Sequence, residues 1–272
     1  MKVVFFGSPR SALPALERLI ESGHEIILAI TQPDRPAGRG REPMPPPVKE
    51  AALGRGIPVL QPEKIRTDPR ILETLKAAAP DINVVVAYGQ IIPPAIIDLP
   101  RFKSINVHFS LLPKYRGAAP VQWAILNGEE KTGVTIFELN ERMDEGDILS
   151  LMEVDIQPRE KADELEVRLS RLGSDLLVKT LDEIEDLPRV PQDHALATPA
   201  PRLHKDQGRI DWTKECVSID RMVRAFSPWP GAHTFFHGRR LVVHEGIPLP
   251  APDPVPQPGR IIEIRKEGPL VS

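Results

Sequence analysis

Apolar residues fall into two rhythms along the first two-thirds of the chain. Short runs dominated by apolar residues at 2–6, 25–31, 57–60 and 82–87 predict strands, the last so uniformly apolar that it belongs in a sheet covered on both faces. Between them, apolar residues return every third or fourth position at 13–20, 48–53 and 69–79, the spacing of helices buried along one side. Gly23 ends the first helix. Strands alternating with helices in this order predict a parallel sheet. Residues 104–108, 133–139 and 148–156 add three strands. A helix over 121–126 follows Pro120, whose missing N–H costs least in a first turn. A long amphipathic helix over 161–185 carries Leu165, Leu169, Leu172, Leu176 and Leu177 on one face. The fold class is therefore α/β, with a Rossmann-like, mostly parallel sheet.

Two stretches break the alternation. Residues 33–47 hold prolines, two glycines and three arginines, and cannot form a helix or a central strand. A loop this long inside a compact domain is commonly functional, and Arg35, Arg39 and Arg41 make it a basic, mobile arm. Residues 187–201 carry four prolines and little periodicity, and read as a linker. Beyond it come a predicted strand at 208–212, a helix at 218–226, a hairpin of 232–236 with 240–244 around His237 and Gly238, and a last strand at 259–265 after the proline-rich 250–258. Short strands with Gly/Pro turns suggest a small β-barrel. The expected division is a catalytic domain at 1–187, a linker at 188–207 and a smaller barrel domain at 208–272.

Composition narrows the class. Of 272 residues, 41% are hydrophobic and 27% charged, as in ordinary globular proteins. Cys216 is the only cysteine, so no intrachain disulfide forms and a reducing compartment is expected. The apolar start is too short for a signal peptide and no run is long enough to span a membrane, which predicts a cytoplasmic protein. The net charge is −3, yet residues from His204 onward carry ten basic against eight acidic side chains, a slight lean toward a polyanionic partner. Gly7 is not followed by the glycines that let backbone approach a pyrophosphate, which disfavours a nicotinamide dehydrogenase. No spacing of histidines and cysteines suggests zinc, and no metal is expected.

The candidate chemistry lies at 104–120. In a strand, residues two apart share a face, so Asn106 and His108 stand side by side near the carboxyl end, where open α/β sheets place their sites. On the pair alone, an amide and an imidazole satisfied by main chain are the commoner arrangement. Asp144, in the polar turn after the 133–139 strand, falls on the same predicted edge. A carboxylate orients an imidazole, and an amide with a protonated imidazole suits the oxyanion of an acyl transfer to an amine. Ser110 lacks a nucleophile elbow and Cys216 lies in the other domain, which leaves direct transfer through a tetrahedral intermediate.

With Asn106-Val107-His108, then Ser110-Leu111-Leu112-Pro113, and Asp144 in its turn, the chain resembles the formyltransferases that use 10-formyltetrahydrofolate. The likeness runs through Gly7-Ser8-Pro9, Thr31 to Gly40, Pro47-Val48-Lys49, Tyr115 to Pro120, and Pro228-Trp229-Pro230-Gly231. The 32–40 loop and the last of these motifs point to the branch whose acceptor is the aminoacyl end of charged initiator tRNA. The resemblance implies the formyltransferase fold and an OB-like second domain. It implies Asn106, His108 and Asp144 as the catalytic trio. Ser110, Leu111, Leu112 and Pro113, with the backbone of Val86, Ala87, Tyr88 and Gly89 and with Leu139, would border the tetrahydrofolate. Arg35, Arg39 and Arg41 would enter the acceptor stem. A monomer is expected. The resemblance also implies further barrel strands after Ser272, so the barrel is expected to be incomplete or to close differently. Two alternatives stay open: a sugar-nucleotide N-formyltransferase with the same folate donor, for which the arginine loop has no acceptor stem to enter, and an RNA-binding protein on a formyltransferase scaffold.

Overall fold

The computed structural model describes residues 1–37, 42–250 and 257–272. In chain order its elements are β1 (Lys2–Gly7), α1 (Leu13–Glu21), β2 (Glu25–Ile30), β3 (Arg35–Ala37), β4 (Glu42–Met44), α2 (Pro47–Leu53), β5 (Val59–Leu60), α3 (Pro69–Ala78), β6 (Ile82–Val86), α4 (Pro94–Ile97), β7 (Ser104–His108), α5 (Pro120–Leu126), β8 (Lys131–Glu138), β9 (Ile148–Asp155) and α6 (Ala162–Asp182). A seven-stranded sheet runs β5-β2-β1-β6-β7-β8-β9. The first five strands are parallel; β8 returns antiparallel to both β7 and β9. The mostly parallel α/β sheet expected from the alternation is present.

The period-two pattern of β1 shows why the sheet is covered on both sides. Val3 and Phe5 join one buried cluster with α1, α5 and α6, while Val4 and Phe6 join the other with α3 and α4. Every residue of β6 is buried, as its apolar run requires. Its one polar residue is Asn83, whose Nδ2 donates to the Ile96 carbonyl and the Ser104 hydroxyl, both at 2.9 Å, while its Oδ1 has no partner among the described residues. The leucine stripe of α6 packs against the sheet, with Leu165, Leu169, Leu176 and Leu177 buried. At roughly 25 cal/mol per Å² of apolar surface, each such leucine contributes about 2 kcal/mol to holding the helix there.

Three elements differ from the sequence pattern. The 33–47 stretch is not wholly irregular: β3 and β4 pair as a short antiparallel ribbon, Arg35 opposite Met44. Proline is tolerated there because both strands are edges. The short helix α4 has too few residues to show a period. The strand predicted at 208–212 does not form; a 3-10 turn, Lys205–Gly208, takes its place, and only Arg209 bridges to His233.

The second, smaller unit contains α7 (Cys216–Ala225), β10 (His233–Phe236), β11 (Arg239–Val242), β12 (Ile261–Ile264) and β13 (Pro269–Val271). Its strands form two antiparallel ribbons, β10-β11 and β12-β13. His237 and Gly238 both have positive φ, 47° and 75°, the backbone of a two-residue hairpin turn that matches strand twist. The predicted linker is not a free tether. Val190 exchanges hydrogen bonds with Ile148 at 2.8 and 2.9 Å, and Pro199 bridges to Arg116. We refer to residues 190–200 as the strap.

Candidate active site

Alternation along β7 turns Ile105 and Val107 toward the cluster under α6, which sends Asn106 and His108 to the opposite face. There α3 and α4 cover β1, β2 and β6, and Asn106 and His108 lie beyond that cluster on the carboxyl side. Asn106 is half-buried and its amide takes no partner among the described residues. His108 is 5% exposed, with its ring edge-on to Phe137 at 6.3 Å.

The β7–α5 loop folds back over His108. Nε2 of His108 lies 2.9 Å from the Tyr115 carbonyl. A carbonyl only accepts, so Nε2 carries the hydrogen, and Nδ1 is the nitrogen left for chemistry. Tyr115 is held for this task at both ends. Its hydroxyl donates to Glu129 at 2.7 Å and accepts from Asn127 at 3.2 Å, and its backbone has φ +63°. Burial pushes its phenol up to about 12. On the other side, Oδ2 of Asp144 stands 3.8 Å from Nδ1, too far for a hydrogen bond but within electrostatic reach. That same oxygen accepts from the Gly117 amide at 2.8 Å. Gly117 has φ +127°, and a Cβ there would stand 2.5 Å from the Ala200 carbonyl oxygen, so the close approach of strap and loop requires glycine.

The residues expected around a pterin occupy the rim of this cluster. Val86 and Tyr88 are buried while Ala87 and Gly89 are exposed, with φ of 48° and 80°, so this turn offers main-chain groups to the cleft. The Tyr88 ring packs edge-on to Phe6 at 5.5 Å, and burial raises its phenol. A hydrogen-bonding heterocycle suits such a turn, because backbone N–H and C=O are the groups presented. Ser110 is fully buried and its hydroxyl donates to the Lys114 carbonyl at 2.7 Å, so it braces the loop. Thr135 Oγ1 donates to the Ser110 carbonyl at 2.7 Å and accepts from the Leu112 amide at 3.1 Å. Leu112 is buried, Leu111 and Pro113 half-buried, and Leu139 packs on the cluster beneath Tyr88. Leu111 lies over Gly133, where a Cβ would overlap it and the Met152 carbonyl.

Of the three arginines, Arg35 is exposed and pairs with Glu63 at 3.3 Å; Arg39 and Arg41 lie outside the described residues. The root of their loop is tied down. Lys49 Nζ donates to both oxygens of Asp34 at 2.9 and 2.8 Å, and Gln61 donates to Asp34 and to the Gln32 carbonyl at 2.8 Å. The Lys49 ammonium, joined by Gln61, holds the Asp34 carboxyl below its ordinary value. Gln32 in turn donates to the Tyr88 carbonyl at 2.9 Å, which links the loop root to the 86–89 turn. Gln32 and Lys49 carried no charge pattern or period that marked them beforehand as structural links.

Among the described residues no cluster of His, Cys, Asp and Glu could hold a metal ion, and no helix is long and apolar enough to cross a membrane. A sheet of this order, with an amide, an imidazole and a carboxylate toward its carboxyl edge, is an α/β fold carrying groups suited to acyl transfer. The description "Formyl transferase" matches residues 1–181, and "Formyl transferase, C-terminal domain" matches residues 202–272; the chain belongs to the formyl transferase family. It is 44% identical to the methionyl-tRNA formyltransferase of Geobacter sulfurreducens over 274 residues, covering 100% of this chain and 85% of that one. It is 48% identical to that of Chloroflexus aurantiacus over 278 residues, covering 100% and 88%. Among solved structures, the N-formyltransferase of Helicobacter canadensis in complex with folinic acid and dTDP-3-aminofucose aligns at a TM-score of 0.62 and 21% identity, over 83% of this chain and 80% of that one. That likeness shows the shared fold.

Proposed function

We propose that the protein transfers the formyl group of 10-formyltetrahydrofolate to the α-amino group of methionyl-tRNA, in the cytoplasm and as a monomer. The observation that carries this reading is 44–48% identity with methionyl-tRNA formyltransferases along the whole chain. The clustering of His108, Asp144 and the Asn106 face supports it. The folate, when bound, supplies an activated formyl carbon. Val86–Gly89, Ser110–Pro113 and Leu139 border it, largely through main chain. The Asn106 amide and Nδ1–H of the protonated His108 donate to the oxygen on which negative charge develops. Nε2–H stays on the Tyr115 carbonyl, so the ring cannot turn away. Asp144 stabilises positive charge on the ring from 3.8 Å. In balance, the amine nitrogen bonds to the formyl carbon, the carbon–N10 bond breaks, and the proton lost by the amine ends on N10.

Arg35, Arg39 and Arg41 are assigned to the acceptor stem, since guanidinium groups suit bidentate phosphate contact and stacking on unpaired bases. The test is acceptor choice. With 10-formyltetrahydrofolate in excess, methionyl-tRNA should be formylated and an amino-sugar nucleotide left unchanged. Formylation of the sugar alone would transfer the assignment to the sugar-nucleotide enzymes.

A further inference from the structure

The strap reads in sequence as a proline-rich linker, yet it holds one of the most fully bonded side chains near the site. Gln192 is 6% exposed. Its Nε2 donates to the Asp144 carbonyl at 2.9 Å and to the Gly146 carbonyl at 2.7 Å. Its Oε1 accepts from Nε and Nη2 of Arg116 at 3.1 and 2.7 Å. The orientation of the amide is unambiguous, because carbonyls only accept and a guanidinium only donates. Two donors and two lone pairs are all used. Asp144 and Gly146 belong to the β8–β9 turn, and Arg116 to the β7–α5 loop, the next residue after the Tyr115 carbonyl that fixes Nε2 of His108. Gln192 is thus bonded to both loops that set the His108–Asp144 geometry.

The rest of the strap reinforces the same loop. Thr198 Oγ1 accepts from the Tyr115 amide at 2.9 Å, the Thr198 carbonyl accepts from the Arg116 amide at 2.9 Å, and the Ala200 amide donates to the Arg116 carbonyl at 2.7 Å. Val190 anchors the other end on β9.

We infer that Gln192 is a positioning residue for catalysis, holding Asp144 and the Tyr115 carbonyl at a fixed separation on either side of the His108 ring. The inference rests on the formyl-transfer reading. A hydrophobic strut would leave the two carbonyls and the guanidinium without these partners, and only an amide can donate to one loop while accepting from the other. Misplacing reacting groups by about 1 Å costs on the order of a hundredfold in rate.

Gln192→Glu separates positioning from stability. It keeps and strengthens acceptance from Arg116, but sets a carboxylate oxygen against the Asp144 and Gly146 carbonyls. We expect it to melt near the wild type, to lose about tenfold or more in kcat, and to keep KM for methionyl-tRNA within about twofold. The ¹⁵N signals of the His108 ring should shift from the Nε2–H pattern of the wild type. Unchanged kcat together with unchanged ring signals would overturn the inference. Should the variant unfold, Gln192→Met keeps a side chain of similar length and removes all four hydrogen bonds; it should slow kcat by about tenfold or more, and a wild-type kcat there would count equally against the inference. A wild type that transfers no formyl group would defeat the functional reading instead, and the ring signals would still report on the positioning.

Discussion

Oδ2 of Asp144 lies 3.8 Å from Nδ1 of His108 while accepting a 2.8 Å hydrogen bond from the Gly117 amide. The carboxylate is therefore held in place by the loop that carries Tyr115, and it faces the imidazole as a fixed charge. Asp144→Asn keeps the volume and removes that charge. We expect kcat to fall on the order of a hundredfold, within the range for loss of acid–base assistance, with the melting temperature little changed. Steady-state kinetics with 10-formyltetrahydrofolate and methionyl-tRNA check this; a variant within twofold of the wild type would show that the charge is not used.

The Asp34–Lys49 pair fixes the root of the β3–β4 ribbon. Asp34→Asn should raise KM for methionyl-tRNA by up to about fivefold, the scale of a partly exposed ion pair. Tetrahydrofolate affinity should hold, and titration calorimetry with tetrahydrofolate distinguishes the two. Equal losses for both ligands would mean that the pair supports the whole sheet edge.

Arg39 stands between Gly38 and Gly40 in the sequence, and the acceptor-stem role proposed for it rests on its guanidinium. Arg39→Ala should weaken use of methionyl-tRNA by at least about tenfold, the order of one charged contact of ~1.5–3 kcal/mol. Raising salt should narrow the gap between variant and wild type, since phosphate contacts weaken with counterion concentration. Undiminished formylation at low salt would remove the loop from RNA recognition.

His24 has a side chain only 8% exposed, and its Nε2 is buried without a hydrogen-bond partner among the described residues. Burial pushes its imidazole below the ordinary 6.5; the Met1 ammonium adds to this and Asp182 opposes it. The unfolded chain therefore takes up this proton at a pH where the folded chain does not. Stability from His24 is full above about pH 6.5 and declines as the pH falls through it, until the pH drops below the folded value. His24→Gln should flatten the loss of melting temperature between about pH 7.5 and 5. Parallel wild-type and variant curves over that range would contradict the assignment.

Much of this architecture was legible in the residues. The apolar run at 82–86 and the leucines of α6 read as buried sheet and helix face; all of that run and Leu165, Leu169, Leu176 and Leu177 are buried, while Ala87 is exposed. The meeting of Asn106 and His108 on one face followed from the period of a strand. What the pattern could not supply was long-range pairing of polar groups. Nothing local to Tyr115 shows that its carbonyl meets a ring seven residues earlier, and proline-rich sequence hides a strap that bonds to two distant loops and to β9. The strand expected at 208–212 failed for a related reason. Local preference near Trp212 favoured extension, but Gly208 sits under the Gly231 carbonyl, where the chain turns.

The most direct test is single-turnover transfer of a labelled formyl group from 10-formyltetrahydrofolate to charged initiator tRNA, comparing the wild type with His108→Ala. The label should reach the α-amino group of methionine with the wild type, and His108→Ala should bind tetrahydrofolate normally while transferring at least about a hundredfold more slowly, because the imidazole acts on charge present only in the transition state. Transfer by His108→Ala at the wild-type rate, or a wild type that leaves the methionine unlabelled, would contradict the mechanism.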